Sequence, residues 1–446
     1  MFQFVKSLFH VDHLSWIMLS LIAFIGVCMG SFASRFMKGD SHYRRFFVYL
    51  AGLIASLAIM VTADHIALFF AGWCLSNFLL VRLMVHKGSW RAAKNSGRLA
   101  LKNHLIGALS VGAALLTLFF ATSETSIYAL NHMPYAIPFI LPVLVLLFIG
   151  AMTQSAIWPF HKWLLSSLNS PTPVSAIMHA GLINGGGFLL IRFGKLYFGH
   201  TSVLSGIFLV GMVTALIGTF WKLMQNDVKR MLACSTMGQM GFMIAQCGLG
   251  LFPAALAHLV THGMYKAYLF LASGGAAQEK RHDLTISVKG STLLSSLLCG
   301  VIGSLCFSLT SGKSWLSNNS TLVLMVIVLL AGSQAALPIL SMKRRNKLWT
   351  AMCVTSLLGL IYGATMAFMA KLIAPMQLMH PQPLNAFHIL GIALLTLSWG
   401  AMVAAKGRSK WHTHSPWKLK GYVRALNASQ PHPDTVTPLR NQYNYL

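Results

Sequence analysis

Acidic side chains are almost missing from this 446-residue chain: Asp12, Asp40, Asp64, Glu124, Asp227, Glu279, Asp283 and Asp434 are the full set. Charged residues of both signs make up 9% of the sequence, against about 25% in ordinary soluble domains. Eight carboxylates cannot clothe a water-soluble body of this size, so a soluble enzyme is excluded. Disordered and collagen-like classes fall with it, because 56% of the residues are hydrophobic. The seven cysteines (28, 74, 234, 247, 299, 306 and 353) lie mostly inside apolar stretches and form no C-x-x-C pair. That removes a disulfide framework, an iron–sulfur cluster and a structural zinc site. The sequence also lacks a phosphate-cradling glycine loop, a G-x-G-x-x-G turn, a haem ligand pair and an acidic cage. No cofactor, no metal site and no catalysis are therefore expected within this chain. The N-terminal MFQFVKSLFHVDHLSW has no small-residue cleavage site, so no removable signal peptide is expected.

What the chain has instead is apolar length. A bilayer-spanning helix needs about 20 mainly apolar residues. Such segments fall at 14–36, 45–63, 66–86, 103–121, 136–158, 171–191, 200–221, 231–249, 253–276, 291–311, 320–341, 348–370 and 386–405. The pattern predicts an all-α polytopic membrane protein with about thirteen transmembrane helices, its immediate surroundings the lipid bilayer. The net charge of +26 could point to nucleic acid, but the basic residues sit in short clusters between apolar segments, as cytoplasmic loops do. No nucleic-acid partner is expected. With the N-terminus outside and the C-terminus cytoplasmic, the inside loops hold 27 of the 34 Lys and Arg. Lys6, Arg192, Lys195, Lys313 and Lys371 fall outside, and Arg82 and Lys266 fall within helices. An error of one helix would scramble this bias.

Residues 1–405 are expected to form one transmembrane domain, and 406–446 a tail that is basic first and polar afterwards. Pro431, Pro433 and Pro438 argue against a long helix there. Tyr422, Tyr443 and Tyr445 offer aromatic anchors for docking onto a partner.

The most informative stretch is His258-Leu-Val-Thr-His262-Gly-Met-Tyr-Lys266. Steps of four put the three ionisable side chains along one helix face, each about 6 Å further on. One histidine inside a membrane helix is commonly a satisfied packing residue. Three ionisable groups in register are expected to face a wet path and handle protons, because burying each against lipid costs kilocalories. One segment earlier, Asn226-Asp227-Val-Lys229-Arg230 opens a helix, with Asp227 complementing its dipole. Lys229 either snorkels to the interface or points into the bundle, where Ser235 and Gln239, four apart, would continue a hydrogen-bonded path. A third element joins Gln154, Trp158-Pro159, Pro171 and Pro173 to His179 and the glycines 185–187. Pro171 and Pro173 are expected to break the helix, with His179 about one turn beyond, and interrupted membrane helices mark ion sites. The bland alternative is a helix that simply starts with proline.

At these residues, from about Asp12 to Ala276, the chain resembles the proton-conducting antiporter-like subunits of respiratory complex I and of multisubunit sodium/proton antiporters. The resemblance rests on Asp40-Ser-His-Tyr-Arg-Arg45-Phe-Phe, Phe70-Ala-Gly-Trp73, Pro171-Thr-Pro-Val-Ser-Ala176, Asp227-Val-Lys229-Arg230 and the His258/His262/Lys266 file. It implies inverted repeats with discontinuous helices and a cation-conducting role, for protons or sodium. It further implies that Lys229 is the central channel lysine of the second repeat, that His258, His262 and Lys266 are its histidines and lysine, and that His179 bridges the half-channels. Lys313, in Ser311-Gly-Lys-Ser-Trp315, would be the exit lysine. Two positions depart from the family: Cys74 stands where it places a glutamate, and Gln154 where it places the partner lysine.

Thr153–His161, His179–Gly187 and Asn427-Ala-Ser-Gln-Pro-His-Pro-Asp434 are similar to the membrane subunit of the bacterial DAB inorganic-carbon transporters. That likeness implies a location in the bacterial inner membrane. It also implies a large peripheral partner subunit with a carbonic-anhydrase-like zinc site, where cation flux drives carbon dioxide to bicarbonate. A respiratory or antiporter subunit, or a non-conducting membrane scaffold for a cytoplasmic enzyme, are the alternative expectations.

Overall fold

A computed structural model describes residues 8–133, 137–273, 290–342, 345–407 and 416–436. Tyr443 and Tyr445 lie outside the described residues. Long helices follow one another through short loops: α1 (His13–Phe36), α2 (Tyr43–Thr62), α3 (Ile66–Met84), α4 (Arg91–Thr122), α5 (Ile140–Gln154), α6 (Thr172–Ala180), α7 (Gly185–Arg192) and α8 (Thr201–Leu223). Then come α9 (Val228–Gly248), α10 (Phe252–Ala272), α11 (Gly290–Ser311), α12 (Thr321–Ser341), α13 (Lys347–Leu372), α14 (Ala386–Gly407) and α15 (Pro416–Ala428). Carboxylates start two of them. Asp12 accepts from the Ser15 amide at 2.8 Å to cap α1, and Asp227 accepts from the Arg230 amide at 2.9 Å to cap α9. Among the described residues β-pairing is limited to four isolated bridges, which tie loops together on the face where α1 begins.

Ten described helices are long and apolar enough to cross a membrane: α1 to α4, the α6–α7 crossing taken as one, α8, and α11 to α14. The predicted number of thirteen is therefore not established. Of the three segments that fall short, α5 has 15 residues, about 23 Å of helix against a hydrocarbon core of about 30 Å. The other two, α9 and α10, have 21 residues each and fall short because of the polar side chains they carry. Length is sufficient in both; composition is what differs, and it differs where the predicted polar file lies.

The α6–α7 crossing is buried almost throughout and packs against α1, α3 and α10. Beside it, α8 and α9 approach so closely that a Cβ on Gly218 would stand 2.4 Å from the Gly238 amide nitrogen, and one on Gly241 would stand 2.5 Å from that of Ala215. Small residues replace side-chain interdigitation with backbone contact here.

The interruption lies elsewhere than the prolines suggest. Pro171 is the extended N-cap of α6 and Pro173 sits in its first turn, where no amide proton is required. The break itself runs through Gly181 (φ −110°, ψ −80°) and a tight turn at Leu182–Asn184. His179 therefore precedes the break by two residues. Carbonyls in and beside the break are satisfied by side chains: Gln154 Nε2 donates to Leu182 O at 3.2 Å, Ser155 Oγ to Ile183 O at 2.7 Å, and Asn184 Nδ2 to Ala180 O at 2.7 Å. Buried backbone left unpaired would cost several kilocalories, so these three side chains are what makes the break tolerable.

After α15 the tail returns to the bundle. Gln225 Nε2 donates to Ser429 Oγ (2.8 Å), Arg230 Nη1 to Gln430 Oε1 (2.8 Å), and Asn169 Nδ2 to Thr435 O (2.7 Å). The His432 amide donates to Ser166 Oγ at 2.9 Å, and Asn95 Nδ2 donates to Asp434 O at 2.8 Å. This stretch of the Asn427–Asp434 motif pins the starts of α4 and α9 and the end of α8 together. On its outer side α15 leaves Leu419, Tyr422 and Val423 exposed.

Candidate functional site

Spacing of four along α10 does bring His258, His262 and Lys266 to one wall. With Ser235 and Gln239 of α9 they line a single cavity of about 540 Å³. That is room for a chain of waters, each needing roughly 30 Å³. His258, His262 and Lys266 are themselves buried. The His258 and His262 rings lie 6.1 Å apart, and neither ring nitrogen of His262 has a partner among the described residues. Gly263 lets α10 press against the broken helix, since a Cβ there would stand 2.8 Å from Ala180 O.

Lys266 is fully buried and its Nζ donates to the Leu232 carbonyl of α9 at 3.1 Å. The same carbonyl accepts from Thr236 Oγ1 at 2.9 Å, and Thr236 Oγ1 lies 3.1 Å from Nδ1 of His179. A hydroxyl has one proton. With that proton on Leu232 O, His179 Nδ1 is the donor to Thr236, which fixes the neutral imidazole as the Nδ1–H tautomer. The result is a continuous hydrogen-bonded link, Lys266–Leu232 O–Thr236–His179, from the cavity to the broken helix. Phe270 of α10 stacks on the His179 ring at 4.3 Å and holds its plane.

Other predicted residues stand apart. Lys229 is half-buried at the start of α9 and does not line the cavity. Lys222, at the end of α8, does line it and is exposed. Lys313 sits beyond α11, at the opposite face, with Nζ 3.8 Å from Met379 Sδ; burial pulls it below the ordinary lysine value. Pro171 and Pro173 shape the entry to α6 and touch neither cavity nor link. Sequence reasoning missed Thr236, Leu232 and Lys222. The i−4 partner of a threonine is readable from spacing, but the meeting of α9 with α6 and α10 is not. Gln154 Nε2 donates to Asn77 Oδ1 at 3.0 Å, a neutral amide pair inside the bundle. Among the described residues no group of three or more His, Cys, Asp or Glu is arranged to hold a metal ion.

A family model described as NADH:quinone oxidoreductase/Mrp antiporter, TM, matches residues 63–313, more than half of the chain. The chain belongs to the NADH:quinone oxidoreductase/Mrp antiporter membrane family. A second model, NADH-Ubiquinone oxidoreductase (complex I), chain 5 N-terminus, matches residues 5–47. Among relatives of this family member, a probable inorganic carbon transporter subunit DabB1 of Halothiobacillus neapolitanus is 35% identical over 283 residues, 61% of this chain and 51% of the relative. The probable inorganic carbon transporter subunit DabB of Bacillus subtilis is 32% identical over 305 residues, 66% of this chain and 59% of the relative. NADH-quinone oxidoreductase subunit L of Pseudomonas aeruginosa is 34% identical over 293 residues, 63% of this chain and 47% of the relative. This chain thus spans about half the length of the curated relatives it matches. A chain in the structure of an Mrp complex from Dietzia sp. shares the fold at a TM-score of 0.57 and 20% identity, over 94% of this chain and 48% of that one. Family membership and the apolar helices make this a multi-pass membrane protein.

Proposed function

We propose that this chain conducts a cation, proton or sodium, and thereby energises inorganic-carbon accumulation by a large peripheral partner subunit. Carbon dioxide would become bicarbonate at a carbonic-anhydrase-like zinc site held by that partner. This chain would act as the coupling subunit, in the bacterial inner membrane with its N-terminus outside and its C-terminus cytoplasmic. The observation that carries the reading is the buried link from Lys266 through Leu232 O and Thr236 to His179, set beside a cavity that also holds His258 and His262. The Leu232 carbonyl only accepts, so the link fixes Lys266 and His179 in place, and water in the cavity would carry the proton among Lys266, His262 and His258; burying these groups is too costly to serve packing alone. Lys222 would receive ions at the mouth, and Lys229 would set the potential around it. Two of the relatives reported above carry the name probable inorganic carbon transporter subunit, which favours carbon over respiration as the coupled process. The exposed face of α15 (Leu419, Tyr422, Val423) would seat the partner.

Likeness to a respiratory subunit L favours a second reading, proton translocation in a redox-driven or antiporter complex. The neutral Gln154–Asn77 pair favours a third, a scaffold that has stopped conducting. Affinity purification of the tagged chain from its own cells tests all three. A large zinc protein supports the first; quinone- or NADH-linked subunits support the second. Bicarbonate uptake that survives both a protonophore and Lys266→Met, with the complex intact, leaves only the scaffold.

A further inference from the structure

The cavity between α9 and α10 has an open side. Of the side chains that line it, Gln239, Thr261 and Tyr265 are also exposed on the outside of the bundle. Gln239 lies near the middle of the 21 residues of α9, and Thr261 near the middle of the 21 of α10. Each is about 15 Å from either end of its helix, at the centre of a hydrocarbon layer about 30 Å thick. The outward face of α4 differs: it presents Leu105, Leu109 and Leu116.

Lipid tails cannot close that side. A hydroxyl can return its proton to its own helix, as Thr261 Oγ1 does to Ala257 O at 2.8 Å. The Gln239 amide carries two N–H donors and an acceptor oxygen, and the carbonyls around it are already bonded within α9. Hydrocarbon offers such a group no partner, a cost that membrane proteins avoid by setting it against protein. The cavity needs the same cover, since water is held only where polar groups surround it.

The chemistry of the face says what covers it. Ser235, Gln239, Thr261 and Tyr265 each donate and accept, and among the described residues no carboxylate lines the cavity. Such a surface is complementary to itself. A two-fold axis along the membrane normal, passing beside Gln239, sets two amides together with an N–H of each on the oxygen of the other. Side-chain amides and hydroxyls bonding across helices are a general means of joining membrane spans. Lys222, at the end of α8, stands at the aqueous end of the groove, where water and salt screen it from its counterpart.

We propose that a second copy of this chain docks here, α9–α10 against α9–α10, and that each copy supplies the missing wall of the other's cavity. Tyr265 and Tyr268, 59% and 67% exposed, flank the amide pair and pack against the same helices of the other copy. Docking requires only that α9 and α10 span the bilayer, so it stands apart from which ion, if any, the cavity conducts.

The test is thiol cross-linking of the full chain, with whatever subunits accompany it, in membranes of its own cells. With a short bifunctional thiol reagent, Thr261→Cys and Tyr265→Cys are expected to give a product of twice the chain's mass. Leu109→Cys, on the outward face of α4, and the unaltered chain with its native cysteines are expected to give none. Gln239→Leu in the Tyr265→Cys background should lower the product about tenfold, and Gln239→Asn, which keeps an amide, should retain most of it. Melting curves confirm that both are folded. Photobleaching of the unaltered sequence carrying a fluorescent tag, excised in nanodiscs of its native lipid, should show two steps per disc. A single step, a product joining the chain to a different protein, a link within one chain to residues 274–289, reagent uptake with no product, or pairing indifferent to Gln239→Leu each overturns the proposal.

Discussion

Thr236→Val removes one hydroxyl from the centre of the link and almost nothing else. Valine matches threonine in shape, so α9 keeps its packing, and Lys266 keeps its bond to Leu232 O. What is lost is the contact between Thr236 Oγ1 and His179 Nδ1, inside a fully buried site. A buried donor stripped of its partner costs about 1–3 kcal/mol. If conduction passes through the linked geometry, that cost falls on its population, and each 1.4 kcal/mol is tenfold in rate. Cation flux should therefore fall roughly five- to hundredfold. The assay is dye-reported proton uptake into inverted vesicles from cells that make the whole complex, alongside a sodium-flux arm. Thr236→Ser, which keeps the hydroxyl, should restore most of the flux. Thr214→Val in α8 removes a buried hydroxyl bonded only to its own helix, at Val210 O, and should leave flux near wild type. Normal flux through Thr236→Val, or equal losses in Thr236→Val and Thr214→Val, would refute the link as what positions the route.

Lys266→Met should abolish flux while leaving thermal stability equal or higher, because it removes a buried amine and substitutes a side chain of similar volume; differential scanning of the detergent-solubilised complex beside the flux assay checks both. Gly241→Ala should lower stability by about 1–3 kcal/mol, since its new Cβ meets the Ala215 backbone at 2.5 Å and α8 cannot give way as a flexible side chain would; unfolding in graded dodecyl sulfate measures it. Truncation after Ala428 deletes the acceptors and donor that engage Gln225, Arg230, Ser166, Asn169 and Asn95. At about 1 kcal/mol net per bond, the same titration should show a loss of a few kilocalories and faster proteolysis in the loop before α9.

How much of this was legible beforehand depends on whether the governing interaction is local. The i, i+4 spacing of His258, His262 and Lys266 is local, and a helix in that stretch leaves no choice about which face they share. The same holds for Ser235 and Gln239, which reach the same cavity. Prolines mark a discontinuity, but their effect depends on position. At the first turn of α6, Pro171 and Pro173 are compatible with the helix that follows. The break moved to Gly181–Asn184, where close packing of Gly263 and donors from Gln154 and Ser155 stabilise it. Those donors come from residues about 28 positions away, so no periodicity announces them. Lys229 stands in a recognisable motif, whereas Lys222, without one, reaches the cavity because α8 ends beside α9. The tail shows the same division: prolines stop the helix before residue 431, while the return of Ser429–Thr435 to the bundle is a tertiary event.

Of the two positions where the resemblance implies a charged pair, 154 holds a neutral amide bonded to Asn77. A lysine at position 154 would put a cation against Asn77 and the Leu182 carbonyl, inside the bundle. An uncompensated buried charge costs several kilocalories, so a lysine at 154 would be a liability here. Glutamine removes the charge and keeps a donor. That donor now holds the broken helix, through Leu182 O, and pairs with Asn77. Gln154 thereby serves as structural support for the break that follows His179. The conduction proposed above runs on the α9–α10 side, where the amine and imidazoles line one cavity. Gln154→Lys should therefore destabilise the bundle by several kilocalories, read by the same dodecyl sulfate titration, and an unchanged transition would refute the structural role given to the amide.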